Sequence, residues 1–213
     1  MKRGLTFLSI ILFATAVNAG SQKKAADPMS DAHITKEERE KAINLLFESQ
    51  KEFLDSVQNL SQQQWDYRPS PFKWSVGLVA EHIALTQDRL FSVIERSLNG
   101  QPDPDWKAKT AGKEALLERI LPTRTGRAQA PVEVRPTGKL SREEILNQFK
   151  KSRERIIDFA QKTDLPLKAY TFDNPFPIFS TLNAYDWLLY VPFHTTRHVK
   201  QIEEVKASPG FPK

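Results

Sequence analysis

Four long segments of this chain place apolar residues at the spacing of one helix face, and two of them open on the same capping signal. Thr35-Lys-Glu-Glu38 and Ser141-Arg-Glu-Glu144 each set a hydroxyl where it can accept from a free helix amide, with a glutamate three residues on to reach back. From the Thr35 cap, Ile43, Leu46, Phe47, Phe53, Leu54 and Val57 follow a period near 3.6, and the first helix is expected to stop near Leu60. Ser75, after Trp74, caps a second helix whose stripe runs Val76, Val79, Ile83, Leu90, Phe91, Ile94, Leu98 to a stop at Gly100. The third helix buries Ile145, Phe149, Ile156, Phe159 and Ala160 and ends near Thr163, before Pro166. The fourth is expected from about Ser180 to Val205, with Pro192 kinking it two residues before His194. Four amphipathic helices with polar connections predict an all-α fold, a four-helix bundle.

The connections are uneven. Residues 61–72 form a connector with two prolines, Trp65 and Tyr67. Residues 101–140 are the least regular. A short helix is expected over Lys113–Leu121, then a long irregular arm between helices 2 and 3, Pro122 to Pro136, with a brief extended stretch. A connection of that length in a compact domain commonly forms a lid or pocket wall. Residues 165–179, rich in proline and aromatics, read as an ordered connection. Internal repeats, glycine-rich phosphate loops and low-complexity tracts are absent from the sequence.

Lys2 and Arg3, the apolar run Leu5–Val17 and the small-residue site Val17-Asn18-Ala19 read as a signal peptide over residues 1–19. Cleavage near Ala19 predicts an exported protein, periplasmic or secreted. Its flexible leader spans 20–34, the domain 35–206 and a C-terminal tail 207–213. No later segment is apolar enough to cross a bilayer, so stable membrane insertion is not expected after signal removal. The sequence contains no cysteine, which rules out a disulfide framework and thiolate ligands, so any metal is held by nitrogen and oxygen. The formal charge of +5 is spread through mixed runs such as Lys36-Glu-Glu-Arg-Glu-Lys41. Those are solvated helix faces, and without a basic stripe a nucleic-acid partner is not expected.

Chemistry gathers at the histidines. His194 and His198 stand four apart, on one face of the fourth helix, and His82 borders the inward face of the second. Three neutral imidazoles converging from two helices suit a divalent transition metal, Zn, Ni, Fe or Mn with zinc first. Open positions would then be left for water or substrate. Such an ion lowers the pKa of bound water, or else serves as a structural pin. The alternative is that the three are ordinary helix residues of a metal-free domain. Thr195-Thr196-Arg197 fill the gap where zinc metalloproteases carry a glutamate, so that chemistry is not expected. His33 lies outside any periodic segment and reads as a bystander.

Around the triad, Gln201 is a candidate for an outer hydrogen bond to a ligand. Asp186 and Tyr190 continue the line back from His194, as residues facing substrate or else as a helix-start dipole partner and core packing respectively. Glu81 points about 100° away from His82, where a salt bridge is expected. Arg197 reads as a surface ion pair. Trp74, Phe176 and Phe179 are candidates for an apolar mouth.

With these motifs in view, the chain resembles the DinB-like superfamily. Trp74-Ser75 with His82 matches that family's entry to its second helix, and His194, His198 and Gln201 match its late histidine motif. The likeness extends from about Thr35 to Lys206, including the arm from Arg127 to Gly138. It implies an up-down-down-up bundle, a divalent metal on His82, His194 and His198, and frequent homodimers. Characterised relatives include S-transferases that use bacillithiol or mycothiol, and many others are described as metal-dependent hydrolases. Export departs from the thiol chemistry, because those cosubstrates are cytoplasmic. The expectation is therefore an exported metal-dependent hydrolase acting on a small-molecule substrate. The alternatives are a thiol S-transferase and a non-catalytic, metal-pinned binding or stress-related module.

Overall fold

The computed structural model describes residues 29–124 and 129–213. The expected signal peptide, residues 20–28 of the leader and residues 125–128 of the arm lie outside them. The elements are α1 (Lys36–Val57), α2 (Gln62–Asp66), α3 (Val76–Leu98), α4 (Trp106–Thr110), α5 (Lys113–Ile120), α6 (Arg142–Lys162), β1 (Thr171–Asp173), β2 (Thr181–Asn183) and α7 (Ala184–Lys206). The long helices α1, α3, α6 and α7 form the bundle. Among the described residues, no helix is long and apolar enough to cross a membrane.

Contacts between helix ends give the topology. Arg39 at the start of α1 donates to the carbonyls of Ala160 and Thr163 at the end of α6. Arg142 at the start of α6 donates to those of Leu60 and Ser61 just past α1, so α1 and α6 are antiparallel. Tyr185 reaches the carbonyl of Glu38, and Lys206 that of Ser56, so α1 and α7 run together. Gln87 meets Phe149 and Phe91 meets Phe159, so α3 and α6 are parallel. Up-down-down-up follows, with α7 packed between α1 and α3.

The helix starts obey their caps. Thr35 and Ser141 form full capping boxes with Glu38 and Glu144, and the Ser75 hydroxyl accepts from the amide of Leu78. The fourth bundle helix begins four residues later than expected. Thr181–Asn183 instead pair with Thr171–Asp173 as an antiparallel ribbon, in the register Phe172 to Leu182. The turn between them carries Ser180 at φ 45°. Asn183 then caps α7, closing a box with Asp186. Pro192 does not end the helix, which continues as one element to Lys206. Pro192 costs the Leu188 carbonyl its usual donor, but both residues are buried in the bundle and packing holds the helix through the gap.

Three further differences concern the connections. The connector contains α2, which Ser61 and Gln64 cap, and Trp65 buries itself against Gly77. The extended stretch expected in the arm is a 3-10 turn at Val132–Val134. Both ends of the domain are more tied down than a leader and a tail would be. Ala32 and Ile34 are buried, and Asp31 pairs with Lys107. Tyr67 donates to the carbonyl of Pro209 and packs edge-on against Phe211.

Two apolar clusters fill the bundle. One surrounds Leu46, Phe91, Ile94, Ile156 and Leu188, the other Phe53, Val79, Ile83, Phe149 and Ile202. Between them, Arg153 is wholly buried and donates to Gln87 of α3, to the Leu46 carbonyl and Ser49 hydroxyl of α1, and to Thr195 of α7. One side chain thus ties together all four bundle helices. Burial pushes its guanidinium down to about 9, so it is charged at neutral pH.

Candidate metal centre

Antiparallel packing of α3 against α7 brings the second turn of one helix beside the middle of the other, and His82, His194 and His198 meet there. One ring nitrogen from each lies within 4.8 Å of the others, and all three residues are buried. The ring centroids stand 5.2 Å apart for His82 and His194, 4.6 Å for His82 and His198, and 4.3 Å for His194 and His198. Donors at about 2.0–2.1 Å from one tetrahedral ion stand about 3.4 Å apart. Shifts of about an ångström in the side chains draw the set onto a single ion, so the residues present fit the metal.

Two of the rings are oriented from behind. Nδ1 of His82 lies 2.7 Å from the carbonyl oxygen of Val134. A carbonyl only accepts, so Nδ1 carries the proton and Nε2 keeps the free lone pair. Nδ1 of His198 lies 2.8 Å from Oε1 of Gln201, which has the same effect. Imidazole ligands are commonly held in this way, with the nitrogen away from the metal donating to a fixed oxygen.

The rings are neutral at physiological pH. Burial lowers His82, opposed by the bond to Val134. Burial sends His194 well below its ordinary range, with smaller contributions from His198, His82 and Arg197. His198 is likewise held well down by burial first and by His82 second, with Gln201 opposing. Neutral imidazole is the form that binds a metal.

The other candidates separate clearly. Gln201 takes the expected place behind His198. The Tyr190 ring stacks 6.2 Å from that of His194 and is braced by Trp187 and Phe179. Burial raises its phenol to about 12, so it stays protonated and able to donate. Asp186 is placed elsewhere. It is the third residue of the α7 capping box, exchanging hydrogen bonds with Asn183, about 12 Å along the axis from His194 at 1.5 Å per residue. That cap, rather than the substrate, uses its carboxylate. Trp74 flanks the triad, 5.0 Å from the His82 ring. Phe179 packs on Tyr190, and Phe176 joins the large apolar cluster. Arg197 is half-buried, not a plain surface residue.

Among the described residues, Glu81 does not make the expected salt bridge. Its buried carboxylate accepts from the amide and hydroxyl of Thr137 and from the amide of Gly138, at 2.8, 2.9 and 2.8 Å. The arm therefore forms a wall of the centre, and its Val134 carbonyl is a functional group that sequence reading missed. A backbone oxygen leaves no trace in residue type. The nearest signal was a helix-facing glutamate beside a ligand histidine, with a loop of unexplained length.

A sequence model of the DinB superfamily matches residues 45–202, most of the domain. The chain belongs to the DinB superfamily. Among known proteins it is similar to the uncharacterized protein YuaE of Bacillus subtilis (strain 168). That likeness is 21% identity over 168 residues, spanning 77% of this chain and 96% of YuaE. Its fold is similar to the solved structure of YfiT from Bacillus subtilis, described as a probable metal-dependent hydrolase with an unusual four-helix bundle topology. The TM-score is 0.53 at 17% identity, over 84% of this chain and 91% of YfiT. The up-down-down-up bundle is thus shared with a protein of that description.

Proposed function

We propose that this DinB-superfamily chain is a metal-dependent hydrolase of small molecules, with a divalent ion held by His82, His194 and His198. The convergence of three buried, neutral imidazole nitrogens within 4.8 Å carries the reading. When bound, such an ion supplies Lewis acidity and a nucleophile drawn from water at neutral pH. Three protein ligands leave positions free for that chemistry. The chain's own residues provide the rest. Val134 and Gln201 hold two of the ligand rings in the tautomer that presents Nε2, and Trp74 and Tyr190 wall the site with aromatic surface. The Tyr190 hydroxyl stays protonated at neutral pH, so it serves as a donor and not as a base.

Protein purified without a histidine tag is expected to carry close to one equivalent of transition metal and, once loaded, to cleave members of an ester and amide panel. His82→Ala should lose metal and turnover together while keeping the helical circular dichroism of the wild type. A wild type that takes up no metal sinks the proposal, as does a loaded protein inert toward the whole panel. Export rests on residues 1–19 alone. N-terminal sequencing of protein from the extracytoplasmic fraction, starting at Gly20, is the result that supports it.

A further inference from the structure

Adjacent residues of α3 grip the same stretch of the arm at two points. His82 donates from Nδ1 to the carbonyl of Val134. Glu81, one residue earlier and on another side of the helix, takes three donors from Thr137 and Gly138. Only two residues, Arg135 and Pro136, separate the two holds, and this stretch of the arm is short of slack. Val132–Val134 form a 3-10 turn, Arg135 donates back to the carbonyl of Ala130, and Pro136 restricts the backbone before Thr137. Gly138 makes the second hold possible. Its φ of 70° belongs to the left-handed region that side chains rarely adopt. Glu81 is 1% exposed. A buried carboxylate is costly unless its lone pairs are met, so the clamp and the burial of Glu81 require one another.

We infer that Glu81 is a positioning residue for the metal centre: by clamping Thr137 and Gly138 it holds the Val134 carbonyl against His82 Nδ1 and so fixes which nitrogen His82 offers to an ion. The arm is then part of the centre and not only a cover over it. Glu81 acts through two intermediaries, the arm backbone and the Val134 oxygen, and touches no ligand atom.

Glu81→Gln tests this with the full chain. The amide keeps the shape but replaces one acceptor with an NH2 that faces another N–H. Zinc affinity, measured by competition with a chromophoric chelator, is expected to fall about 10–100-fold, the range for loss of an outer partner to a ligand. Nitrogen-15 NMR of the histidine rings in metal-free protein gives an independent readout. The wild type should show His82 protonated at Nδ1, and Glu81→Gln a mixture of tautomers, with the helical circular dichroism unchanged. A purely structural role would lower the melting temperature and leave the tautomer alone. If Glu81→Gln fails to fold, Thr137→Val takes its place, since it removes one donor on an exposed loop. It should weaken zinc binding about 3-fold, on the order of one lost hydrogen bond. Wild-type zinc affinity and wild-type His82 tautomer in whichever variant folds would overturn the inference. The inference rests on the metal-centre reading, so a wild type that binds no metal would sink both, whereas a zinc-binding wild type with unaltered variants would sink the inference alone.

Discussion

Replacing Arg153 with methionine should destabilise the bundle far less than replacing it with lysine, even though lysine keeps the charge. Arg153 is 0% exposed, and the partners shown for it are neutral oxygens on α1, α3 and α7. Removing the guanidinium deletes those bonds and also the desolvation penalty of several kcal/mol that a buried ion carries. What is left depends on the stranded acceptors. The Ser49 and Thr195 hydroxyls already donate to the carbonyls of Leu46 and Val191, so Leu46 keeps a partner. Oε1 of Gln87 loses the donor it has, at about 1–3 kcal/mol for a buried unsatisfied group. Methionine fills much of the volume, so Arg153→Met should cost about 2–3 kcal/mol. Lysine keeps a buried charge, is shorter, and offers a point charge in place of a fork. Arg153→Lys should therefore cost about 4 kcal/mol or more, as in breaking a buried ionic contact.

The decisive variant is Arg153→Met with Gln87→Leu. Removing both partners leaves no stranded acceptor, and stability should return to within about 1 kcal/mol of wild type. Urea unfolding followed at 222 nm, with Gln87→Leu alone included to close the cycle, gives all five stabilities, provided the variants share one m-value. The double variant should be more stable than Arg153→Met alone, with a coupling of about 2 kcal/mol. Additive losses would refute the stranded-acceptor argument, and methionine proving worse than lysine would refute the desolvation argument.

Other perturbations follow from the same geometry. Gly77→Ala would place a methyl 2.3 Å from Nε1 of the buried Trp65. It should cost about 2–3 kcal/mol by overpacking, read as a lower melting temperature with red-shifted tryptophan emission. Asp186 is raised to about 7 by burial, from an ordinary value of 3.8. Its neutral form is the one the fold accepts, so the associated stability is present below the ordinary value and lost as pH rises through 7. Asp186→Asn, which keeps an acceptor for the Asn183 amide, should be neutral at pH 4 and stabilising by on the order of 3 kcal/mol at pH 8. A pH-independent effect in chemical unfolding at the two pH values would contradict this. The three histidines run the opposite way, because burial depresses them and the unfolded chain binds protons first. In metal-free protein their contribution should be fully present above about pH 6.5 and be lost as pH falls below it, against the trend set by Asp186. His194→Leu should flatten that slope in melting curves between pH 5 and 8.

Much of the bundle was legible because its signals are local. The Thr35, Ser75 and Ser141 caps and the 3.6-residue period place three helix starts where the structure has them. The start of α7 was not legible in the same way. Thr181–Asn183 pairs with Thr171–Asp173, so a pairing across a seven-residue turn decided where the helix begins. At the site, the ligands were readable from helical spacing, as was Gln201 behind His198. Val134 was not, because its carbonyl belongs to the backbone, and Glu81 was misread because its partners are amides 56 and 57 residues away.

The residues of the Arg153 network were visible in outline, as gaps in the apolar stripes. Ser49 falls between Leu46 and Phe53, Gln87 between Ile83 and Leu90, Arg153 between Phe149 and Ile156, and Thr195 between Val191 and His198. Each keeps the three- or four-residue step of its helix, so each is polar at a core position. A lone polar residue there would be a local cost. Four of them, one per helix and facing one another, form a layer that apolar packing alone would not align. Thr195 joins that layer to the centre, since it follows His194 directly and is held by Arg153 at 3.0 Å. Polar groups that must find specific partners fix the axial register of helices more sharply than interchangeable methyl groups do. The register they fix sets α7 against α3, and therefore sets His194 and His198 against His82. An ion-binding geometry accurate to about an ångström thus depends on a charged residue on α6, a helix that contributes no ligand to it.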